Sequence, residues 1–232
     1  MNATAVIVAA GDGRRLGGNT PKIFLSLCGR PIILRTLDRF FSARSIGNVV
    51  LVVAADQLSR AKALLEADAA LKNRSWILQT GGATRQESVR QGLALIGDDS
   101  DVIAIHDGAR PFVSPALIDR CVEAARDKGA VVVGRPARDT IKVVSADRWV
   151  ETTPPRGSLW EIQTPQVFRR VIVLAAHEWA EHAGIEATDD AMLVENKGER
   201  VFVLDGESTN LKITFADDLW LAETMIRQGR IS

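Results

Sequence analysis

The residues of this chain that could do chemistry are mostly cations set among glycines. Between Val6 and Lys22 an apolar run, Ala5 to Val8, gives way to Ala9, Ala10, Gly11 and Gly13. Arg14 and Arg15 follow, then Gly17 and Gly18, and finally Lys22 behind Pro21. Glycines let a backbone approach a phosphate closely, and consecutive N–H groups form an anion nest. Arginine adds a planar fork for phosphate oxygens and lysine a compact point charge. Three cations beside four glycines in one loop are costly to assemble without an anion to meet them. Two familiar phosphate loops are excluded. In a G-x-G-x-x-G pattern the third glycine position falls on Leu16, and the acidic residue sought about twenty positions on, Asp38, falls inside an apparent helix. A Walker A loop needs Gly-Lys-Ser/Thr, which does not occur here.

Further residues extend this inventory. Gly81, Gly82, Arg85 and Ser88 read as a second loop-to-helix junction of the same kind. Asp107 ends an apolar run, where ligands of open α/β sheets sit, and suits a magnesium ion held by one protein oxygen plus substrate phosphates. The competing reading is a cap for the next turn. His106 reads as an oriented structural residue, and Thr188-Asp189-Asp190 as a helix cap or a polar contact. Lys212 sits in Asn210-Leu211-Lys212-Ile213-Thr214 with little other reason to lie near a strand end. No Ser-His-Asp order, acid dyad or cysteine nucleophile is evident. Cations, glycines and a metal carboxylate equip a site for phosphoryl or nucleotidyl transfer, where catalysis is mainly positioning and charge neutralisation.

The elements that must hold these groups alternate. Buried strands are predicted at Ala5–Val8, Val49–Val53, Trp76–Leu78, Val102–Ile105, Ala130–Val133 and Val201–Leu204. Helices are predicted from Pro31 to Phe41, Leu58 to Leu71, after Gly82, from Ser114-Pro115 to Lys128, Arg169 to His182, Asp189 to Val194 and Phe215 to Arg227. This order implies an α/β fold, a mostly parallel sheet with helices on both faces. From Pro136 to Arg156 the alternation stops. Ile141, Val143, Trp149 and Val150 flank a polar turn and suggest a protruding two-stranded β-arm. Such a ribbon is too short to stand alone and must dock on something, most simply a second copy.

The chain has 232 residues, zero net charge and 46% hydrophobic residues. That composition allows one domain with a full core and gives no general nucleic-acid or membrane surface. No run reaches membrane-spanning length and no secretory leader is visible. Cys28 and Cys121 lie far apart, as reduced thiols of a cytoplasmic protein would. The three histidines have no zinc-ligand spacing.

Together these residues resemble one family. AAGDGRR with Pro21-Lys22 resembles the signature loop of nucleotidyltransferases that join a sugar or polyol phosphate to a nucleoside monophosphate. GGATRQESV (81–89), HDGARPF (106–112), RDTIK (138–142), Arg156 before Leu159-Trp160, QTPQVF (163–168), TDD (188–190) and NLKIT (210–214) narrow it. In that order the blocks resemble the 2-C-methyl-D-erythritol 4-phosphate cytidylyltransferase family of the non-mevalonate isoprenoid pathway. The resemblance implies a Rossmann-like fold of the nucleotide-diphospho-sugar transferase type and a cytidylyl transfer from CTP that requires magnesium (Mg2+). It implies that Arg15 and Lys22 stabilise the transition state, with Arg156 and Lys212 also catalytic. Ala9, Ala10, Gly11, Gly13, Gly82, Arg85 and Ser88 would bind the nucleotide. Asp107 would hold the metal, and Asp107, Arg110, Thr140, Thr164 and Thr188 would serve the substrate side. Thr140 and Arg156 would reach in from the partner of a homodimer. Val8 and Gly108 depart from the family, where proline and alanine are common. Ribitol-5-phosphate cytidylyltransferase shares most blocks, but Leu159-Trp160 and the HDGARPF form point away from it. A non-catalytic nucleotide-sensing module would be expected to lack Lys22 or Asp107, and both are present. The end at Ser232, shortly after the last helix, suggests a standalone enzyme rather than half of a bifunctional one.

Overall fold

A computed structural model describes residues 3–11 and 20–231. In chain order it contains β1 (Ala3–Ala9), a small hairpin of β2 (Ser26–Leu27) and β3 (Arg30–Pro31), α1 (Ile32–Ser42), β4 (Ile46–Val53), α2 (Leu58–Ala67), β5 (Trp76–Thr80), α3 (Arg85–Leu93), β6 (Val102–Asp107), α4 (Pro115–Lys128) and β7 (Ala130–Pro136). There follow β8 (Val143–Val144), β9 (Val150–Thr152), β10 (Trp160–Arg169), α5 (Arg170–Ala183), α6 (Asp190–Asn196), β11 (Phe202–Asp205) and α7 (Ala216–Arg227). Seven strands form the main sheet in the order β11-β7-β10-β6-β1-β4-β5. All run parallel except β10, which is antiparallel to both neighbours.

Strand alternation divides the core in two. Ala3, Ala5, Ile7 and Ala9 of β1 face one side, where Ile33, Leu37 and Phe40 of α1, Leu65 of α2 and Leu117, Cys121 and Val122 of α4 cover them. Val6 of the same strand joins Val50, Val52, Ile103 and Ile105 on the other side, under Val89 and Leu93 of α3 and residues of α5 and α6. A residue period of two sends successive side chains to opposite faces, so strands covered on both faces read as continuous apolar runs. The local signals that start helices act as expected: Ser114 caps α4 by accepting from Leu117 N–H, with Pro115 at the first helical position. Both cysteines are free thiols, and burial pushes Cys121 up to about 12.

Two expectations change. The helix predicted to reach Leu71 ends at Ala67 and continues only as a 3₁₀ turn, Ala69–Leu71. The strand β10 has no counterpart in the sequence reading, yet it lies near the middle of the sheet. Pro165 lacks a donor for the ladder and falls where the pairing with β7 shifts register, between Gln163 and Gln166. The segment 211–213 has no regular element, and Ile213 N–H donates to Ala109 O at 2.8 Å, which fixes this stretch beside the end of β6. The arm forms as expected from β8 and β9, and it is the most exposed apolar part of the sheet region, with Trp149 77% and Val150 58% exposed. Among the described residues no helix is long and apolar enough to cross a membrane.

Candidate active site

The connections from β1 and from β5 leave in opposite directions, to β4 on one side and to β6 on the other. In an open α/β sheet the crevice at that reversal, outside the strand C-termini, is where ligands bind. Here it holds a cavity of about 500 Å³. Ala9, Ala10 and Gly11 leave β1 along one wall, while Gly82 to Arg85 and Ser88 form another. Asp107 closes the end of β6, and Lys22, Ala109, Lys212 and Thr214 complete the lining.

Asp107 is the electrostatic centre. Its carboxylate lies 2.8 Å from Lys212 Nζ, 3.5 Å from Arg85 Nε and 3.7 Å from Arg110 Nε. Burial alone would raise its pKa, but Lys212, Arg85 and Arg110 overcome that and hold the carboxyl well below the ordinary range. It is therefore ionised at any physiological pH. Lys22 reaches the segment that carries Lys212, donating to Ile213 O at 3.4 Å. Three of the cavity's lining residues, Lys22, Arg85 and Lys212, are thus cations, and two of them, Arg85 and Lys212, pair with Asp107.

The groups behind Asp107 fix its place. Its N–H donates to Thr164 Oγ1 at 3.1 Å, and Thr164 Oγ1 lies 3.0 Å from His106 Nδ1. The other nitrogen, His106 Nε2, lies 3.0 Å from Arg110 O. A carbonyl only accepts, so Nε2 carries the proton and Nδ1 accepts from the Thr164 hydroxyl. Burial pushes His106 down to about 4, which keeps the ring neutral in this role. Phe40 covers it, with ring centroids 4.8 Å apart. Arg110 Nη1 donates to Asn210 O at 2.9 Å, and Asn210 Nδ2 donates to Thr164 O at 2.8 Å. The loop that carries Lys212 is therefore tied to the end of β6 and the middle of β10 before any ligand arrives.

The second glycine loop differs from expectation. Its N–H groups are already used: Gly82 N–H meets Ser88 Oγ at 3.2 Å, and Ala83 N–H meets Glu87 Oε2 at 2.8 Å. Thr84 caps α3 by accepting from Glu87 N–H, while the Glu87 side chain reaches back one residue further, to Ala83 N–H. Gly81 is needed for packing, since a Cβ there would fall 2.6 Å from Ser88 Oγ and 2.7 Å from Ala10 Cβ. The loop is a shaped wall rather than an anion nest. What it offers a ligand is Arg85, whose Nη1 is 2.8 Å from Asp190 Oδ2.

Of the residues expected at the site, Ala9, Ala10, Gly11, Lys22, Gly82, Arg85, Ser88, Asp107 and Lys212 converge on the cavity. Gly13 and Arg15 lie outside the described residues. Thr164 does not line the cavity; its hydroxyl is spent behind Asp107, as above. Arg110 is likewise turned inward, toward Asn210 O. Thr188 is exposed and donates to Met192 Sδ at 3.7 Å. Thr140 and Arg156 are exposed on the arm, away from the cavity of their own chain, where Arg156 donates to Arg138 O at 3.1 Å. Sequence reasoning missed Thr84, Ala109 and Thr214 in the lining, and the buried supports Gln166, His177 and Asn210. The S/T-x-x-E spacing of Thr84 and Glu87 was a usable signal for the first. The rest, one polar residue inside a strand (Gln166), one inside a helix (His177) and three between elements, gave none.

Comparison with known proteins agrees with this geometry. The family model for 2-C-methyl-D-erythritol 4-phosphate cytidylyltransferase matches residues 3–228. A protein of that name from Bacillus pumilus is 41% identical over 231 residues, covering 99% of both chains. The crystal structure of 4-diphosphocytidyl-2C-methyl-D-erythritol synthase from Anaerococcus prevotii superposes with a TM-score of 0.85 at 31% identity, covering 97% of this chain and 98% of that one. The 2-C-methyl-D-erythritol 4-phosphate cytidylyltransferase of Thermus thermophilus gives 0.78 at 34% identity, over 98% and 100%.

Proposed function

Because this chain belongs to the 2-C-methyl-D-erythritol 4-phosphate cytidylyltransferase family, its reaction is a cytidylyl transfer in isoprenoid precursor biosynthesis, and we propose that the cavity between β1, α3 and β6 is where it occurs. The substrates are CTP and 2-C-methyl-D-erythritol 4-phosphate. A phosphate oxygen of the second attacks the α-phosphorus of the first; the new P–O bond forms as the bond to pyrophosphate breaks. The nucleophile is already an anion, so no strong general base is required, and the scarcity of bases around the cavity fits that. The difficulty is bringing two polyanions together and stabilising charge at phosphorus. Lys22, Lys212 and Arg85 line one cavity together with the carboxylate of Asp107, which is the single observation that carries the reading. Arg15, beyond the described residues, is assigned with Lys22 to the transition state by the family motif.

The donor set fits magnesium of a particular kind. Among the described residues no group of three acidic, histidine or cysteine side chains could cage a metal. Asp107 is a single ionised carboxylate, and magnesium characteristically takes one or two protein carboxylates while phosphates and water supply the rest. When bound, the ion would neutralise triphosphate charge and polarise the reacting phosphoryl group. Asp107 would hold it, and Lys212 would turn from Asp107 to the incoming phosphates. Two further proposals concern the arm. The chain works as a homodimer through residues 136–156, and Thr140 and Arg156 complete the substrate side of the partner's cavity. Their exposure and the bare apolar surface of Trp149 and Val150 support both. The decisive experiment measures pyrophosphate release from CTP with methylerythritol phosphate and ribitol phosphate side by side. Turnover with the first alone is expected; equal or better turnover with the second would overturn the substrate assignment.

A further inference from the structure

We propose that Asp190 is a positioning residue for nucleotide binding: it holds the Arg85 guanidinium at the cavity wall and keeps it from closing onto Asp107. The inference rests on the reading of Arg85 as a nucleotide contact. Arg85 stands between two carboxylates, 2.8 Å from Asp190 Oδ2 through Nη1 and 3.5 Å from Asp107 Oδ1 through Nε. Asp190 is 1% exposed, so it cannot serve a ligand directly. It is not needed as a cap either, because its neighbour Asp189 caps α6 by accepting from Met192 N–H at 2.9 Å. A carboxylate buried without such duties is costly unless it is paired. Its pairing is built from several sides. Gln166 Oε1, on the central strand β10, accepts from the N–H groups of Asp190 and Ala191 at 3.0 and 3.1 Å. His177 of α5 places Nε2 3.1 Å from Asp190 Oδ1. The sheet and two helices thus fix one carboxylate, and that carboxylate fixes one cation that opens on the cavity. Without it, the carboxylate left to Arg85 is Asp107, where it would compete with Lys212 and withdraw from the nucleotide.

The test is a cycle of Asp190→Asn, Arg85→Gln and the double variant, each checked by size and thermal melting. CTP affinity is read by calorimetry, and KM for both substrates by pyrophosphate release. Loss of a charged contact should raise the dissociation constant and KM for CTP in Asp190→Asn by about tenfold to a hundredfold, with KM for the polyol phosphate within about twofold of wild type. In the Arg85→Gln background the same change should have almost no further effect. CTP affinity near wild type in Asp190→Asn, while Arg85→Gln is weakened, overturns the inference alone. An Arg85→Gln enzyme that binds CTP normally overturns the nucleotide reading of Arg85 instead. An equal loss from Asp190→Asn in both backgrounds would make Asp190 merely structural. Should Asp190→Asn not fold, His177→Gln keeps the carboxylate but loosens it. It is then expected to raise KM for CTP by about twofold to fivefold and to leave the other KM unchanged; no selective rise would refute the proposal.

Discussion

Asp107→Asn separates two roles for the same carboxylate. The substitution keeps size and shape and removes one negative charge from among Lys212, Arg85 and Arg110, at 2.8, 3.5 and 3.7 Å. At about 4 Å each such pair is worth about 4 kcal/mol before desolvation is counted. Much of that is offset, because the carboxylate is buried and Lys212 is 39% exposed and screened. A net loss of about 2 kcal/mol remains, which lowers the melting point by about 4–8 °C for a chain of this size. The fold should survive it. Function should respond differently. The cavity becomes more positive by one charge, so CTP in the absence of metal should bind at least as tightly as to wild type. Turnover with magnesium should fall by about a hundredfold to a thousandfold, as for loss of one preorganised electrostatic contact. Calorimetry with CTP in chelator, magnesium-dependent pyrophosphate release and melting curves read the three effects. A variant that melts lower but keeps turnover within about threefold at ordinary magnesium would refute the metal role and leave Asp107 as a counter-ion for the three cations.

Three further outcomes are expected. Lys22→Ala should lower kcat by about a hundredfold to a thousandfold with a much smaller loss of CTP affinity; a change confined to KM would remove Lys22 from the transition state. His106 ties stability to pH. Its folded pKa of about 4 lies below the ordinary 6.5, so the unfolded chain binds the extra proton first and stability falls as pH drops from 6.5 toward 4. Between pH 7 and 5 that amounts to about 2 kcal/mol, readable by denaturant titration and absent in His106→Asn; an equal slope in the variant would refute it. Arg156→Ala and Lys22→Ala should each be nearly inactive, yet subunit exchange between them should restore roughly a quarter of wild-type activity per site, since half the dimers are mixed and each has one intact site of two. No recovery after verified exchange would rule out shared sites.

The groups that meet the ligand were legible because their chemistry restricts their type. A lysine beside a strand end, or an aspartate closing an apolar run, has few structural uses, and Lys22, Lys212 and Asp107 do converge on one cavity. The parallel half of the sheet was legible for a related reason: Val49 to Val53 and Val102 to Ile105 are covered on both faces and carry no polar interruption. The strand β10 was not. Gln163, Thr164, Pro165 and Gln166 look like a loop, because hydrophobic periodicity registers only burial against apolar neighbours. These residues are in the sheet for another purpose. Gln166, 1% exposed, sets the start of α6, and Thr164 meets the end of β6.

Asp189 and Asp190 show how far this limits the reading of a site. In sequence they are one repeated letter after a threonine, and a helix cap accounts for both. In the structure the first accepts from Met192 N–H, which is local work that any cap could do, and also from Gln166 Nε2 at 2.7 Å. The second turns inward to His177 and Arg85, residues 13 and 105 positions away. Its partners come from α5 and α3, on the same face of the sheet, and only the packing of those helices brings them within 3.1 Å. A residue that touches substrate can be inferred from what it is. A residue that aims another can be inferred only from where several elements meet, and in this fold that meeting place is the polar stretch of β10 that looked least like a strand.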